Sequence, residues 1–163
     1  MTAHDPAFSA HPNPSGATVA DLRSMGGAEA LAVMLFRDSF EGPPGTARLR
    51  AVFADALGPA AGAAAFDDWS ELLHRLMRDA RRPLMRHGLA CACVGADEAA
   101  LALVLRLAAT GEREDALMTL SLLIPGDRVL PAFLAAERAG RAVLAAVRIY
   151  ERGRPAGPSR HLH

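Results

Sequence analysis

Hydrophobic residues recur every three or four positions along most of this chain, which is the spacing of one face of an α-helix. The clearest run lies between residues 46 and 58 and consists of Leu49, Val52, Phe53, Ala56 and Leu57. It predicts a helix that has Thr46 as its N-cap and that stops at Gly58-Pro59. The stretch 41–45, which holds two prolines and two glycines, is predicted to be a loop.

An earlier helix is predicted near the N-terminus. Thr18 and Asp21 are residue types that cap helices, and we expect them to open it. Gly26-Gly27 breaks or kinks this helix, and apolar residues near helical spacing resume it over residues 28–40.

Two further helices are predicted in the middle of the chain. After an alanine-rich connector, Asp68 and Glu71 form a capping-box pair. The helix that they open has an apolar face made of Trp69, Leu72, Leu73, Leu76 and Met77. Pro83 ends it or begins the next one, and alanine and leucine favour a second helix over residues 84–94 despite Gly88.

The pattern then predicts two helices separated by a glycine. The first starts at Gly95 or Asp97 and ends at Gly111. Its leucines, valine and alanines occupy so much of its circumference that we expect it to be the most buried helix. The second carries acidic residues in its first turn, where they complement the helix dipole, namely Glu112, Glu114 and Asp115.

A turn at residues 125–127 leads into the last and longest helix, which tolerates Pro131 because we place that proline in the first turn. Six or seven helices joined by short loops predict an all-α fold, a compact helical bundle. We assign the bundle to a single domain over residues 18–153. Residues 1–17 and 154–163 are rich in proline and small polar residues, and we expect a disordered arm and a disordered tail there.

Composition supports one soluble helical domain. The chain has 163 residues, and alanine and leucine carry most of its 51% hydrophobic content. Eighteen acids balance eighteen basic residues, all of them arginine, so the sequence gives no strong signal for nucleic-acid binding. Arg106 interrupts the longest apolar stretch, so no membrane span is expected. We expect a cytoplasmic location, because the N-terminal residues do not have the pattern of a signal peptide.

The densest group of chemically active side chains is His87, Cys91, Cys93, Asp97 and Glu98. In an extended segment, side chains two residues apart point to the same side, so the two cysteines could bind one soft metal such as zinc or form a strained disulfide. In a helix, His87 and Cys91 share a face instead. The third alternative, which we favour, is that both cysteines are buried core thiols.

A second candidate site is the one local excess of positive charge, which lies between residues 74 and 87. It could bind an anionic ligand or an acidic partner surface through charge-assisted hydrogen bonds. The alternative is a solvated helix face whose arginines pair with nearby acids. The candidate residues are Arg75, Arg78, Arg82 and Arg86.

No catalytic motif is present: the sequence lacks a glycine-rich phosphate loop, a Gly-x-Ser-x-Gly elbow and an HExxH pair. We therefore expect a non-catalytic protein-interaction or regulatory module that binds a protein partner or a second copy of itself. An apolar stripe left exposed on the last helix would favour self-association. The alternative function is a metal-binding or thiol-redox protein, a sensor or an enzyme, built on His87, Cys91 and Cys93.

Overall fold

Six α-helices and two short β-strands make up residues 17–153, the part of the chain that the computed structural model describes. In chain order they are β1 (Thr18–Asp21), α1 (Gly27–Asp38), α2 (Gly42–Leu57), α3 (Pro59–Asp79), β2 (Cys93–Gly95), α4 (Ala96–Thr110), α5 (Arg113–Leu123) and α6 (Gly126–Gly153). The predicted all-α fold is confirmed. The predicted tail and all but the last residue of the predicted arm lie outside the described residues.

The core forms around α6, which packs against α2, α3 and α4. Its buried face is made largely of small residues, including Ala132, Ala136 and Ala139. Gly140 lies at the crossing with α4, where an added Cβ would overlap the carbonyl oxygen of Leu105. The alanine-rich composition therefore allows the backbones of these helices to approach closely.

The predicted first helix is wrong, because Thr18 to Asp21 form β1. This strand pairs antiparallel with β2, with Asp21 opposite Cys93. The Asp21 carboxylate accepts a hydrogen bond from the N–H of Arg23, so it caps a single 3-10 turn rather than an α-helix. The predicted break at Gly26-Gly27 is the place where α1 begins.

The predicted loop over residues 41–45 is also wrong, because Gly42, Pro43 and Pro44 are the first residues of α2. Proline fits the first helical turn, where its missing N–H would have no partner in the helix. Thr46 therefore lies inside α2 and is not its N-cap. Its hydroxyl donates a hydrogen bond to the carbonyl of Gly42 at 3.2 Å.

The alanine-rich connector before Asp68 is helical, which corrects a third prediction. Gly58, with a φ of +83°, turns the chain after α2, and α3 begins directly at Pro59. Alanine has the strongest helix propensity, so the alanine-rich stretch forms the first turns of α3 and is not a linker between α2 and α3. Asp68 lies inside α3 and pairs with Arg138 of α6 at 2.7 Å instead of capping.

The three C-terminal helices follow the predictions closely. Gly95 is the N-cap of α4, and Gly111 ends this helix with a φ of +86° in the left-handed region. Glu114 and Asp115 lie in the first turn of α5. α6 passes through Pro131 at its sixth position, beyond the first turn in which it was predicted.

Residues 80–95 link α3 to α4 and are called the α3–α4 segment below. The helix predicted over residues 84–94 is wrong, because the segment is irregular up to Ala92 and then forms β2. Pro83 and Gly88 both disfavour a helix here. Side chains from α1 and α4 bind the backbone groups that a helix would have used.

Candidate functional site

The α3–α4 segment carries both cysteines, and their sulfur atoms are bonded to each other as a disulfide. The Cα atoms of Cys91 and Cys93 are 5.3 Å apart. The N–H of Cys91 donates to the carbonyl of Gly88 at 3.1 Å, which closes a turn, and the N–H of Cys93 donates to the Cys91 sulfur at 3.3 Å. Both residues are half-buried. The favoured prediction of buried core thiols is therefore wrong, and the extended alternative describes the segment.

Arg37 of α1 holds this segment in place. Its guanidinium donates to the carbonyl oxygens of Gly88 (3.2 Å), Cys91 (2.6 Å) and Cys93 (2.6 Å). It also donates to both carboxylate oxygens of Glu98, at 2.7 and 3.0 Å. The side chains of Arg37 and Glu98 are both 0% exposed. One buried cation thus fixes three carbonyls of a segment whose regular hydrogen bonding is limited to β2.

Sequence reasoning did not single out Arg37, although the sequence contains a signal for it. Val33, Phe36, Arg37 and Phe40 follow the i, i+3, i+4, i+7 spacing of an apolar helix face. A charged residue at such a position is expected to be buried, and a buried charge requires a partner.

Glu98 is the second centre of this network. Besides Arg37, it accepts hydrogen bonds from the N–H of Gly95 (2.8 Å), the N–H of His87 (2.9 Å) and the His87 ring Nδ1 (3.1 Å). Burial acts to raise the pKa of Glu98, but the hydrogen bonds from Arg37, Gly95 and His87 outweigh it and lower the pKa from 4.5 to about 2. Glu98 is therefore a buried carboxylate that stays ionised.

Asp97 binds the first part of the same segment. Its two carboxylate oxygens accept hydrogen bonds from the Arg82 guanidinium, both at 2.7 Å, and one also accepts from the N–H of Met85 at 2.8 Å. Asp97 and Glu98 lie in the first turn of α4, where negative charge also complements the helix dipole. The two carboxylates predicted as metal ligands thus serve to attach the segment to α4.

The five candidate metal ligands come together only in part. The His87 ring contacts the Glu98 carboxylate, and Cys91 is bonded to Cys93. Asp97, in contrast, forms an ion pair with Arg82. Over residues 17–153, the structure places no group of three or more His, Cys, Asp or Glu side chains so that they could hold a metal ion.

The four candidate anion-binding arginines each have an acidic partner. Arg82 lies beyond the end of α3, so it does not extend the helix face that was predicted for Arg75 and Arg78. An anionic ligand would have to compete with carboxylates that already lie within 2.7 to 3.2 Å of these side chains. The pairs are Arg75 with Glu71, Arg78 with Asp79, Arg82 with Asp97 and Arg86 with Glu41.

Large apolar side chains are exposed on the outward faces of two consecutive helices. On α5, Met118 is 68% exposed and Leu122, one turn later, is 71% exposed. On α6, Leu130 is 49% exposed and Leu134, again one turn later, is 45% exposed. These four residues are called the α5–α6 face below. By contrast, a partly open pocket beside Gly140 has only about 10 Å³, room for a single water molecule.

No family model matches this sequence, and comparisons with curated proteins and with solved structures likewise find no match. None of the helices in residues 17–153 is both long enough and apolar enough to cross a membrane. The α3–α4 segment and the α5–α6 face are therefore the two features of the molecule that bear on its function.

Proposed function

We propose that this protein is a non-catalytic interaction module that self-associates through its α5–α6 face. The observation that carries the proposal is the exposure of Met118, Leu122, Leu130 and Leu134 as two pairs with one-turn spacing. Exposed apolar side chains one turn apart on a helix, as in each of these pairs, are often found at protein-protein contacts. An exposed part of the last helix was also the feature that the sequence linked to self-association.

The strength of this contact can be bounded from the exposed fractions. Fully burying one Leu or Met side chain contributes roughly 1.5–3 kcal/mol. The four exposed fractions together correspond to a little over two complete side chains in each copy, so covering them on both copies of a dimer contributes roughly 7–14 kcal/mol. Association costs about 4–15 kcal/mol in lost freedom of motion. The two terms are of similar size, so the apolar contact supports a weak, reversible dimer to which polar contacts add.

A second copy of the chain is the occupant that the charges favour. Equal numbers of acids and arginines leave the protein without net charge, so two copies do not repel each other. On α5, Glu114 and Asp115 are exposed and form no ion pair with another part of residues 17–153. On α6, Arg128 is 56% exposed and pairs with the neighbouring Asp127, itself 71% exposed, at 3.2 Å. A two-fold arrangement that sets α5 of one copy against α6 of the other would bring exposed charges of both signs close to each other.

The proposal includes a cytoplasmic location. A domain of this length buries enough surface to fold without the disulfide framework that small secreted domains need. Its partner is a protein rather than a nucleic acid, because a chain without net positive charge has no long-range attraction for a polyanion.

Sedimentation of the protein over a wide concentration range tests this proposal. We expect a concentration-dependent dimer, and we expect Leu122→Glu to weaken the dimer at least about tenfold, because it places a charge in an apolar contact. Ile149→Glu is the matched control, since Ile149 is also an exposed apolar residue (40%) but lies near the other end of α6.

Circular dichroism verifies that both variants are folded. A wild-type protein that stays monomeric at hundreds of micromolar would contradict the proposal. Equal association of Leu122→Glu and Ile149→Glu would contradict the assignment of the face.

A further inference from the structure

We propose that Cys91 and Cys93 form a redox-active disulfide that exchanges with thiols while the domain stays folded. In this exchange the incoming thiol attacks the sulfur of Cys93, and Cys91 leaves as the thiolate. The site is separate from the α5–α6 face, and its substrates are thiols and disulfides.

The Cys91–Cys93 disulfide contributes little to the stability of the fold. A disulfide stabilises a fold mainly by restricting the unfolded chain, and this effect grows with the number of residues that the bond encloses. Cys91 and Cys93 are two positions apart, so the bond encloses a minimal loop. Little of the stability of the fold therefore depends on keeping it closed.

The segment is held in place by hydrogen bonds that do not include the sulfur atoms. Arg37 binds the carbonyl oxygens of Cys91 and Cys93, and Glu98 binds backbone N–H groups on either side of them. None of these hydrogen bonds includes a sulfur atom, so all of them persist when the disulfide opens. Both cysteines are half-buried in a segment outside the helices, which leaves them within reach of a small thiol.

The direction of attack follows from one hydrogen bond. The N–H of Cys93 donates to the Cys91 sulfur at 3.3 Å. When the disulfide breaks, this donor stabilises the negative charge that develops on Cys91, and a more stable thiolate leaves faster. Arg37 binds the carbonyls of both cysteines equally closely, so it does not favour one sulfur over the other.

The exchange is balanced in electrons and protons. A thiolate attacks the Cys93 sulfur, a mixed disulfide forms there, and the bonding pair of the old disulfide passes to Cys91, which takes a proton from water. A second thiolate then attacks the mixed disulfide at the external sulfur and releases Cys93 as a thiolate. The two external thiols are oxidised to a disulfide, and the cysteine pair is reduced by two electrons. The reverse reaction, with an external disulfide as oxidant, closes Cys91–Cys93 again.

Trapping of the mixed disulfide tests both parts of the proposal. The protein is first oxidised with glutathione disulfide, then exposed briefly to reduced glutathione under native conditions and quenched with acid. Fragmentation mass spectrometry locates the adduct. We expect at least about tenfold more adduct on Cys93 than on Cys91 in the folded protein, and a ratio near one in urea, where the hydrogen bond is lost.

Two single-cysteine variants provide an independent measurement. Cys93→Ser keeps the backbone N–H that faces Cys91, so its remaining thiol should react with iodoacetamide with a pH midpoint at least about half a unit below that of Cys91→Ser. Circular dichroism checks that each variant is folded. Failure of the folded protein to exchange, with exchange only in urea, would overturn the redox site. Exchange with the adduct mainly on Cys91, or equal midpoints in the two variants, would overturn the direction.

Discussion

Replacement of Arg37 by methionine should destabilise the protein more than any other single removal of an arginine. Methionine has a similar length and a good helix propensity, so α1 itself is preserved. The change removes every hydrogen bond that the guanidinium donates to Glu98 and to the carbonyls of Gly88, Cys91 and Cys93. Glu98 remains as a fully buried carboxylate without its cation.

The expected loss follows from the burial of this pair. Removing one partner of a buried ion pair costs about 3–5 kcal/mol, because the remaining charge is not compensated. Native domains are stable by roughly 5–15 kcal/mol in total. For a chain of this size, 1 kcal/mol corresponds to about 2–4 °C in melting temperature, so we expect Arg37→Met to melt roughly 6–20 °C below the wild type.

Urea unfolding at pH 7, followed by circular dichroism, measures the effect. Arg75→Met is the matched control, because Arg75 pairs with Glu71 one turn away and is 30% exposed, with Glu71 40% exposed. Such surface pairs contribute about 0.3–0.5 kcal/mol. In the double variant Arg37→Met/Glu98→Leu, no buried charge is left without a partner. Its loss of unfolding free energy should therefore be smaller than the sum of the losses in the two single variants.

Two results would refute this reasoning. A loss below about 1 kcal/mol for Arg37→Met would mean that the guanidinium does not hold the α3–α4 segment. Additive losses in the double variant would mean that Arg37 and Glu98 are not coupled, although their atoms are 2.7 Å apart.

Acid should destabilise the wild type more than Glu98→Gln. The pKa of Glu98 is about 2 in the folded protein and 4.5 ordinarily. Its contribution to the free energy of unfolding, roughly 3 kcal/mol, is therefore complete above pH 4.5 and is lost as the pH falls towards 2. Urea unfolding between pH 5 and pH 2 measures this, and stability curves of the wild type and Glu98→Gln that run parallel would contradict it. Gly140→Ala should cost about 1–3 kcal/mol by overpacking against α4. The same assay should show almost no loss for Gly126→Ala, where an added Cβ meets nothing within 4 Å.

The helices could be predicted from the sequence wherever local signals agree. α4 and α5 combine apolar spacing, acidic first turns and, for α4, a glycine at each end, and these signals depend only on neighbouring residues. The starts of α2 and α3 were missed because Pro43, Pro44 and Pro59 were interpreted as loop residues. In fact these prolines occupy first turns, where the helix needs no N–H from them.

The α3–α4 segment could not be predicted from its own residues. Its leucines and alanines favour a helix when taken alone. Its actual course is set by Arg37 from α1 and by Asp97 and Glu98 from α4. Local propensity is weak beside several charge-assisted hydrogen bonds from buried side chains. The start of α4 near Gly95 and Asp97 was predicted correctly, but the partners of Asp97 and Glu98 depend on tertiary contacts.

The separation between Arg37 and Glu98 along the chain has a consequence for the order of assembly. The two residues are 61 positions apart, so α1 and α4 must meet before the α3–α4 segment acquires its anchor, and such distant contacts form late because closing a long loop costs entropy. A bond between residues two apart has no such requirement. The cysteine pair can therefore close in the nascent, unfolded chain, before the helices come together around it.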